Sequence, residues 1–170
     1  NWSVPATVSS DFGALKPKIK VLDANTFVIL YHSNGGTTLK VAKTTNGGTS
    51  WTDYTISTTA AASAFGLAVV SSSIFYVGYN KSGTSRPTFI KSTDGGANWT
   101  GEVSINTLTT DGVSIAAKDS SNVYVIFRDI TASPYSFKIA KSTNGGAAWA
   151  TTTVDDAAPP TGATRGTGKN

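Results

Sequence analysis

Residues 44–51 read Thr-Thr-Asn-Gly-Gly-Thr-Ser-Trp, and closely similar stretches follow at 92–99 and at 142–149. The tryptophans that end the three copies, Trp51, Trp99 and Trp149, are 48 and 50 residues apart. Trp2 lies 49 residues before Trp51, so we expect the sequence to begin within a repeat. A period of this length is typical of propeller blades and of other stacked structural units.

Each copy lies between two runs that are typical of β-strands, and this placement predicts a turn that joins two strands. Asn or Asp at the third position can bond to nearby backbone amides, and the two glycines accept positive φ without steric cost. The hydroxyl at the first position can bond across the turn, and the tryptophan can cover it. We call residues 44–51, 92–99 and 142–149 the box turns, and we expect twelve of their residues to be structural. These are Thr44, Asn46, Gly48, Trp51, Ser92, Asp94, Gly96, Trp99, Ser142, Asn144, Gly146 and Trp149.

The pattern S/T-x-D-x-G-x-x-W of the box turns resembles the Asp-box, or BNR, repeat of sialidase-like, xyloglucanase-like and sortilin-like β-propellers. The resemblance covers the chain from Trp2 to Trp149 and slightly beyond. Asn46 and Asn144 depart from it, which a turn tolerates and a carboxylate-dependent role does not. The resemblance implies that the boxes lie at the outer rim, away from the ligand-binding centre. The series of oxygen ligands that a Ca²⁺ loop needs is missing, so we expect no metal and no cofactor.

The fold class that we predict is all-β, a β-propeller with four-stranded antiparallel blades. Residues 1–8 would form the outer strand of a preceding blade, 9–56 the first blade, 57–105 the second, 106–154 the third, and 155–170 a linker or the start of a further blade. Outer strands are predicted at 50–56, 98–105 and 148–154, and inner strands at 15–22, 65–70 and 113–117. Propellers close with about four to eight blades, so three blades cannot form a ring. We expect further blades from the same longer chain or from a second copy.

Composition excludes several classes of function. The chain has no cysteine and a formal charge of +4, which excludes disulfides, thiol chemistry and thiolate metal sites and leaves little basis for nucleic-acid binding. Lys16, Lys18 and Lys20 alternate along one strand, which favours a solvated strand face. These residues contain no signal peptide and no membrane span. Low charge and abundant Thr, Ser, Gly and Ala resemble secreted repeat proteins, so we expect an extracellular or cell-surface location.

Candidate ligand-binding residues lie at one end of the predicted blades. His32, Asn80 and Arg128 occupy equivalent positions and differ in type, as expected where a pseudosymmetric scaffold acquires an asymmetric site. Tyr135 lies beside the loop around 129–134, which holds the two additional residues of the third repeat, and insertions of this kind tend to lie on the binding face. The remaining two candidates, Asp11 and Asp111, come from different blades and could point toward the ring centre. Polar loop residues are most often simply solvated, which is the alternative for each of the six.

Two classes of function remain open. Resemblance to sialidases would require three converging arginines, a Tyr–Glu nucleophile pair and an aspartic acid. The three arginines, Arg86, Arg128 and Arg165, do not precede the first box in an Arg-Ile-Pro context, and the one glutamate, Glu102, falls on a predicted outer strand. No nucleophile-elbow pattern accompanies the single histidine. The sequence therefore favours an extracellular non-catalytic module that binds glycan or protein or serves as a scaffold. The alternative is a fragment of a sialidase-like or xyloglucanase-like glycoside hydrolase whose catalytic residues lie partly on other blades.

Overall fold

The computed structural model of the chain describes residues 7–9, 15–33 and 38–155. In these ranges the chain forms twelve β-strands and no helix. None of the described residues therefore belongs to a helix long and apolar enough to cross a membrane. The strands are β1 (Leu15–Val21), β2 (Phe27–His32), β3 (Leu39–Thr44), β4 (Thr52–Ser57), β5 (Ala60–Val69), β6 (Phe75–Lys81), β7 (Arg86–Ser92), β8 (Val103–Ser104), β9 (Thr110–Ala117), β10 (Val123–Asp129), β11 (Ser136–Ser142) and β12 (Ala150–Asp155).

The strands form three antiparallel sheets of four strands each, and every sheet follows the order of the chain. The first sheet contains β1–β4, the second β5–β8 and the third β9–β12. Within the described residues, short turns join the strands, because runs rich in Val, Ile, Phe and Tyr alternate with Gly, Asn, Asp and Ser. The prediction of an all-β fold built from four-stranded antiparallel sheets is confirmed.

The strand ends differ from the predicted ones. The outer strands β4, β8 and β12 begin two to five residues later than predicted, because each box turn extends through its tryptophan. β8 has only two residues, and the segment before it turns toward the first sheet at Glu102. β5 and β9 begin earlier than predicted, at Ala60 and Thr110, because a register shift lets small and polar residues extend each strand.

Parts of the predicted domain division lie outside the described residues. These are residues 1–6, 10–14, 34–37 and 156–170, which include most of the predicted outer strand and of the predicted linker. Thr7 and Val8 are described, and neither is in a strand. The turn between β10 and β11 has six residues, 130–135, and that between β6 and β7 has four, 82–85. The two additional residues of the third repeat therefore lie in the β10–β11 turn.

Two apolar cores lie between the three sheets. Alternate residues of a strand point to opposite faces of the sheet. Val28 and Leu30 of the first sheet are fully buried against Phe75 and Val77 of the second. On its other face the second sheet packs against the third through Tyr76 and its neighbours. The second sheet is therefore covered on both faces, which explains why both faces of its strands are apolar.

Both outward faces of the stack carry exposed apolar side chains, and no further sheet of the described residues packs on either face. Ile19 and Val21 on β1 are 59% and 67% exposed, and Ile126 and Phe137 on the third sheet are 40% and 44% exposed. Neighbouring apolar side chains that remain exposed are typical of surfaces that another element covers. The three sheets form an open stack, and its two ends are the faces on which further sheets would pack.

Candidate functional site

The three box turns share one set of hydrogen bonds. In the second, the hydroxyl of Ser92 accepts from the amide of Gly96 at 2.8 Å and donates to Oδ1 of Asp94 at 2.8 Å. The same Oδ1 accepts from the amide of Asn98 at 2.9 Å, and the indole nitrogen of Trp99 donates to the carbonyl of Gly96 at 2.9 Å. The corresponding bonds in the other two box turns are 2.9–3.1 Å long. Each box turn is thus a self-contained network.

This geometry explains why asparagine replaces aspartate in two box turns. In all three turns the third residue accepts the same two hydrogen bonds, and its Oδ1 accepts both. An asparagine amide supplies this oxygen as well as an aspartate carboxylate does. Asp94 uses its second oxygen to accept from the side-chain amide of Asn98 at 2.7 Å. In the first turn the side-chain amide of Asn46 donates instead to the hydroxyl of Ser50 at 2.8 Å. The backbone amide of Asn98, followed by its side chain and that of Ser92, lowers the pKa of Asp94 to about 2.

Two of the three strand-end candidates are buried between sheets. His32 is fully buried, and the centroid of its ring lies 5.0 Å from that of Phe65 in the second sheet. Asn80 is also buried, and its side chain exchanges hydrogen bonds with the hydroxyl and the carbonyl of Thr110 in the third sheet. Both residues therefore face the next sheet along the chain. Their difference in chemical type reflects different neighbours across the sheet interface, and neither presents surface to a ligand in this structure.

The third strand-end candidate, Arg128, lies on the end face of the stack and is partly exposed. Its Nε donates to Oδ1 of Asp111 at 2.7 Å, and Nη2 donates to the second oxygen of the same carboxylate. Its Cζ lies 5.5 Å from the ring centroid of Tyr135, which is 45% exposed. The structure thus brings together three of the six predicted ligand residues, which we call the Arg128 cluster. Asp11 lies outside the described residues.

A depression of about 410 Å³ lies beside the Arg128 cluster. Arg128 and Asp111 contribute polar groups to its lining, and Ile126 and Phe137 contribute apolar side chains. Because Ile126 and Phe137 are exposed, the depression opens on the end face of the third sheet. An apolar lining with a few polar groups is typical of small-ligand sites.

Glu102 joins the first and second sheets, a role that the sequence did not reveal. Its Oε1 accepts from the hydroxyls of Ser57 at 2.9 Å, Thr59 at 2.7 Å and Tyr79 at 2.6 Å. Its Oε2 pairs with Nζ of Lys81 at 2.5 Å. Glu102 was predicted to lie on an outer strand; it directly precedes the outer strand β8 and is not part of it. The spacing of a lone glutamate does not indicate that donors from two distant segments converge on it.

The Glu102 network is arranged to hold a charge. Burial opposes ionisation of Glu102, but its hydrogen bonds, that from Lys81 above all, outweigh burial and lower its pKa to about 2. Burial, together with the bond to Glu102, raises the pKa of Tyr79. At neutral pH the tyrosine is therefore a donor and the carboxylate an acceptor. Neither group has a pKa near neutrality, where a general acid or base is most effective.

Two lysines just before the box turns tie each sheet to the next. Nζ of Lys43 donates to the carbonyl of Gly95 at 3.1 Å, and Nζ of Lys91 donates to the carbonyl of Gly145 at 3.1 Å. In both cases the acceptor is the first glycine of the following box turn. Lys141 occupies the equivalent position in the third sheet, with Nζ 5.9 Å from the ring centroid of Tyr124.

No protein-family model matches the sequence, and a search of curated proteins found no match. Among solved structures, the GH74 enzyme of Niastella koreensis aligns with a TM-score of 0.55 and 26% identity over 79% of this chain and 21% of its own. YCF48 bound to D1 peptide aligns with a TM-score of 0.55 and 15% identity over 88% of this chain and 46% of its own. A structure of NanB with Optactamide aligns with a TM-score of 0.50 and 14% identity over 75% of this chain and 20% of its own.

All of these structures are β-propellers. The chain is a partial β-propeller. Its three sheets are blades, and the ring is not closed within the described residues. This confirms the predicted fold class and the resemblance to sialidase-like and xyloglucanase-like propellers. The chain spans less than half the length of each of these structures, and a propeller of three blades needs further blades to close.

Proposed function

We propose that this chain is part of an extracellular or cell-surface propeller that binds a polar ligand, a glycan or a protein loop, or serves as a scaffold for one, without converting it. The site that we propose is the Arg128 cluster. The observation that carries the proposal is the convergence of a guanidinium, a carboxylate and an exposed aromatic ring beside the β10–β11 turn. The location is proposed from the composition of the chain.

Each group of the Arg128 cluster suits the binding of a polar ligand. Asp111 holds the guanidinium of Arg128 by two hydrogen bonds, which orders the side chain before a ligand arrives and lowers the entropy cost of binding. The other N–H groups of the guanidinium can donate to a sugar hydroxyl, a carboxylate or a peptide carbonyl. Tyr135 offers an exposed apolar face on which a sugar ring or a side chain can pack, together with a polar hydroxyl.

Five of the described carboxylates favour binding over hydrolysis. Hydrolysis of a glycosidic bond uses two carboxyl groups that face each other across the bond. Asp94 and Glu102 accept several hydrogen bonds within the fold, and Asp111 is paired with a guanidinium. Asp119 and Asp129 accept hydrogen bonds from backbone amides in adjacent turns. These five carboxylates are therefore engaged by the protein itself.

Binding to a glycan array that contains sialosides and β-glucans, and to a random peptide library, tests this proposal. The wild-type chain should bind at least one member weakly. Arg128→Ala combined with Tyr135→Ala should abolish that interaction and leave the urea midpoint of unfolding nearly unchanged, because both side chains are partly exposed. Tyr54→Ala combined with Arg86→Ala is the matched control, since it removes the same residue types away from the cluster and should leave binding intact. Binding that survives loss of the cluster, or cleavage of a sialoside or β-glucan at an enzymatic rate, would sink the proposal.

A second candidate function is that of a glycoside hydrolase segment. It is favoured by the 26% identity to the GH74 enzyme over 79% of this chain. The catalytic carboxylates would then lie partly on blades outside this sequence. Any longer polypeptide that contains this sequence can be assayed on xyloglucan and on sialosides. Turnover that is lost with Asp11→Asn or Asp111→Asn would favour the hydrolase, whereas binding without turnover would favour the module.

A further inference from the structure

The contact between the first and second blades recurs between the second and third, so it shows which groups join a blade to the next one. At both interfaces a lysine reaches the first glycine of the following box turn, at 3.1 Å. Between the second and third blades a tyrosine adds a further donor, because the hydroxyl of Tyr76 donates to the carbonyl of Ser120 at 2.8 Å. That hydroxyl and Nζ of Lys91 converge on Gly145, at 4.0 Å and 3.7 Å from the position of a Cβ there. Each blade thus carries hydrogen-bond donors on the face toward the next blade, and the next blade carries acceptor carbonyls in and near its box turn.

The third blade carries the same pair of donors on its outward face, where no further sheet of the described residues packs. Tyr124 lies 48 residues after Tyr76, and Lys141 lies 50 residues after Lys91. The lysine Nζ lies 5.9 Å from the tyrosine ring centroid, so the two donors are already side by side. We call this surface the third-blade end face, defined by Tyr124, Ile126, Phe137 and Lys141. It combines the donors of an interblade contact with exposed apolar side chains.

The first blade carries the complementary acceptor. The amide of Gly47 donates to the carbonyl of Asn25 at 2.9 Å, and the equivalent bonds in the second and third box turns are 2.8 Å and 2.9 Å long. The φ of Gly47 is 67°, against 74° and 66° for the equivalent glycines, so Gly47 shares their left-handed conformation. Ile19 and Val21 are exposed on the same blade. We call Ile19, Val21 and Gly47 the first-blade end face.

We propose that two copies of this chain associate head to tail, each third-blade end face packing on the first-blade end face of the other copy, and so close a six-bladed ring. Lys141 then donates to the carbonyl of Gly47 in the second copy. The interface continues the one that already joins the blades within the chain, and it occurs twice, related by the ring axis. Because Ile126 and Phe137 also line the depression beside the Arg128 cluster, ring closure covers that depression, and a ligand of the cluster competes with the second copy for this face. Six blades lie within the range of about four to eight in which propellers close.

Sedimentation equilibrium over a series of protein concentrations tests the assembly. The wild-type chain should sediment at twice the chain mass of 17.5 kDa. Lys141→Met keeps the length of the side chain and removes the charged donor. Loss of a hydrogen bond from a charged group weakens an interface by about tenfold or more, and the contact occurs twice in the ring. The dissociation constant of the Lys141→Met dimer should therefore rise by about a hundredfold.

Lys91→Met is the matched control, because it makes the same change at the equivalent contact within the chain. It should lower the urea midpoint of unfolding and leave the dissociation constant of the dimer within about threefold of wild type. Lys141→Met should instead raise the dissociation constant of the dimer and leave the urea midpoint of the dilute, monomeric chain unchanged.

A disulfide tests the geometry independently of the lysines. The chain has no cysteine, so Ile19→Cys combined with Ile126→Cys introduces the only two. The equivalent positions within the chain are Ile115 and Gly78, where a Cβ at position 78 would lie 3.4 Å from Cβ of Ile115. This separation is close to that across a disulfide. Under oxidising conditions the double variant should form covalent dimers that reductant separates, and neither single variant should form this cross-link.

Three outcomes would overturn the proposal. A wild-type chain that stays at 17.5 kDa at every concentration would assign the covering blades to a longer polypeptide or to another protein. A dimer that Lys141→Met does not weaken, or that the cysteine pair does not cross-link, would place the interface on another surface. Assembly into open polymers would show that the head-to-tail contact does not close after two copies.

Discussion

The tryptophans of the three box turns should contribute unequally to stability, although the turns are alike. The ring centroid of Trp149 lies 5.2 Å from that of Phe89 on the preceding blade, in an edge-to-face arrangement. Trp99 likewise packs against the core between the first and second blades. Trp51 belongs to the first blade, which has no preceding blade in the described part of the chain. Trp149→Ala should therefore be more destabilising than Trp51→Ala.

The difference can be estimated from the contacts. Truncation of a buried tryptophan to alanine costs about 3–5 kcal/mol, and because these rings are only partly buried we expect about 2 kcal/mol for each. Loss of the bond from the indole nitrogen is common to all three turns. The aromatic pair with Phe89 adds about 1 kcal/mol for Trp149. The free energy of unfolding should fall by about 3 kcal/mol for Trp149→Ala and by about 2 kcal/mol for Trp51→Ala.

Urea unfolding of dilute protein measures this difference. Far-UV circular dichroism is the appropriate signal, because the substitutions change the tryptophan fluorescence, and the m-values should be equal. At concentrations where two copies close the ring, Trp51 gains a preceding blade, and the cost of Trp51→Ala should approach that of Trp149→Ala. If Trp51→Ala were as destabilising as Trp149→Ala in dilute protein, the tryptophans would act only within their own turns and the reasoning would be refuted.

Gly146→Ala should lower the free energy of unfolding by about 3 kcal/mol, because Gly146 has a φ of 87° and a Cβ there would overlap the ring of Phe89. Gly83→Ala, at a φ of 82° with no atom within 4 Å, should cost only about 1 kcal/mol; equal costs in urea unfolding would contradict the packing of the third box turn on the second blade. The stability contributed by ionised Glu102 should be present above its ordinary pKa of 4.5 and lost as the pH falls from there toward about 2, its pKa in the fold. Solvent screens this partly exposed group, so we expect a loss of about 1 kcal/mol over that range. Glu102→Gln should flatten the acid limb of the curve of stability against pH, and an unchanged acid limb would exclude this network as its cause. Asp94→Asn should leave the urea midpoint at neutral pH close to that of wild type, because the other two box turns use asparagine; a large decrease would show that the second carboxylate oxygen is essential.

The fold was predictable because its decisive interactions are local. Every shared bond of a box turn joins residues within eight positions of one another. The positive φ of its glycines, such as 67° at Gly47 and 90° at Gly48, follows from the residue type. Repetition of this turn at a fixed spacing was therefore enough to predict three similar sheets. Apolar residues on both faces of a strand are likewise a local pattern, and the second blade buries both of its faces between its neighbours.

The candidate site was less predictable because it depends on contacts between distant segments. His32, Asn80 and Arg128 are equivalent, but that equivalence also turns all three toward the next blade. His32 and Asn80 are buried for this reason, and Arg128 is partly exposed because its blade is the last in the described chain. Glu102 receives hydrogen bonds from residues that lie 21 to 45 positions away, which no local pattern reveals.

A crystal structure of the chain would test most directly the central claim that each blade is tied to the next by the same lysine contact. The decisive quantity is the distance from Nζ of Lys141 to the nearest carbonyl of a box-turn glycine. We predict about 3.1 Å, the distance found for Lys43 and Lys91, to Gly47 of a second copy within a ring of six blades. A structure in which the Lys141 ammonium lies in solvent, or in which the third-blade end face contacts any other surface, would contradict the claim.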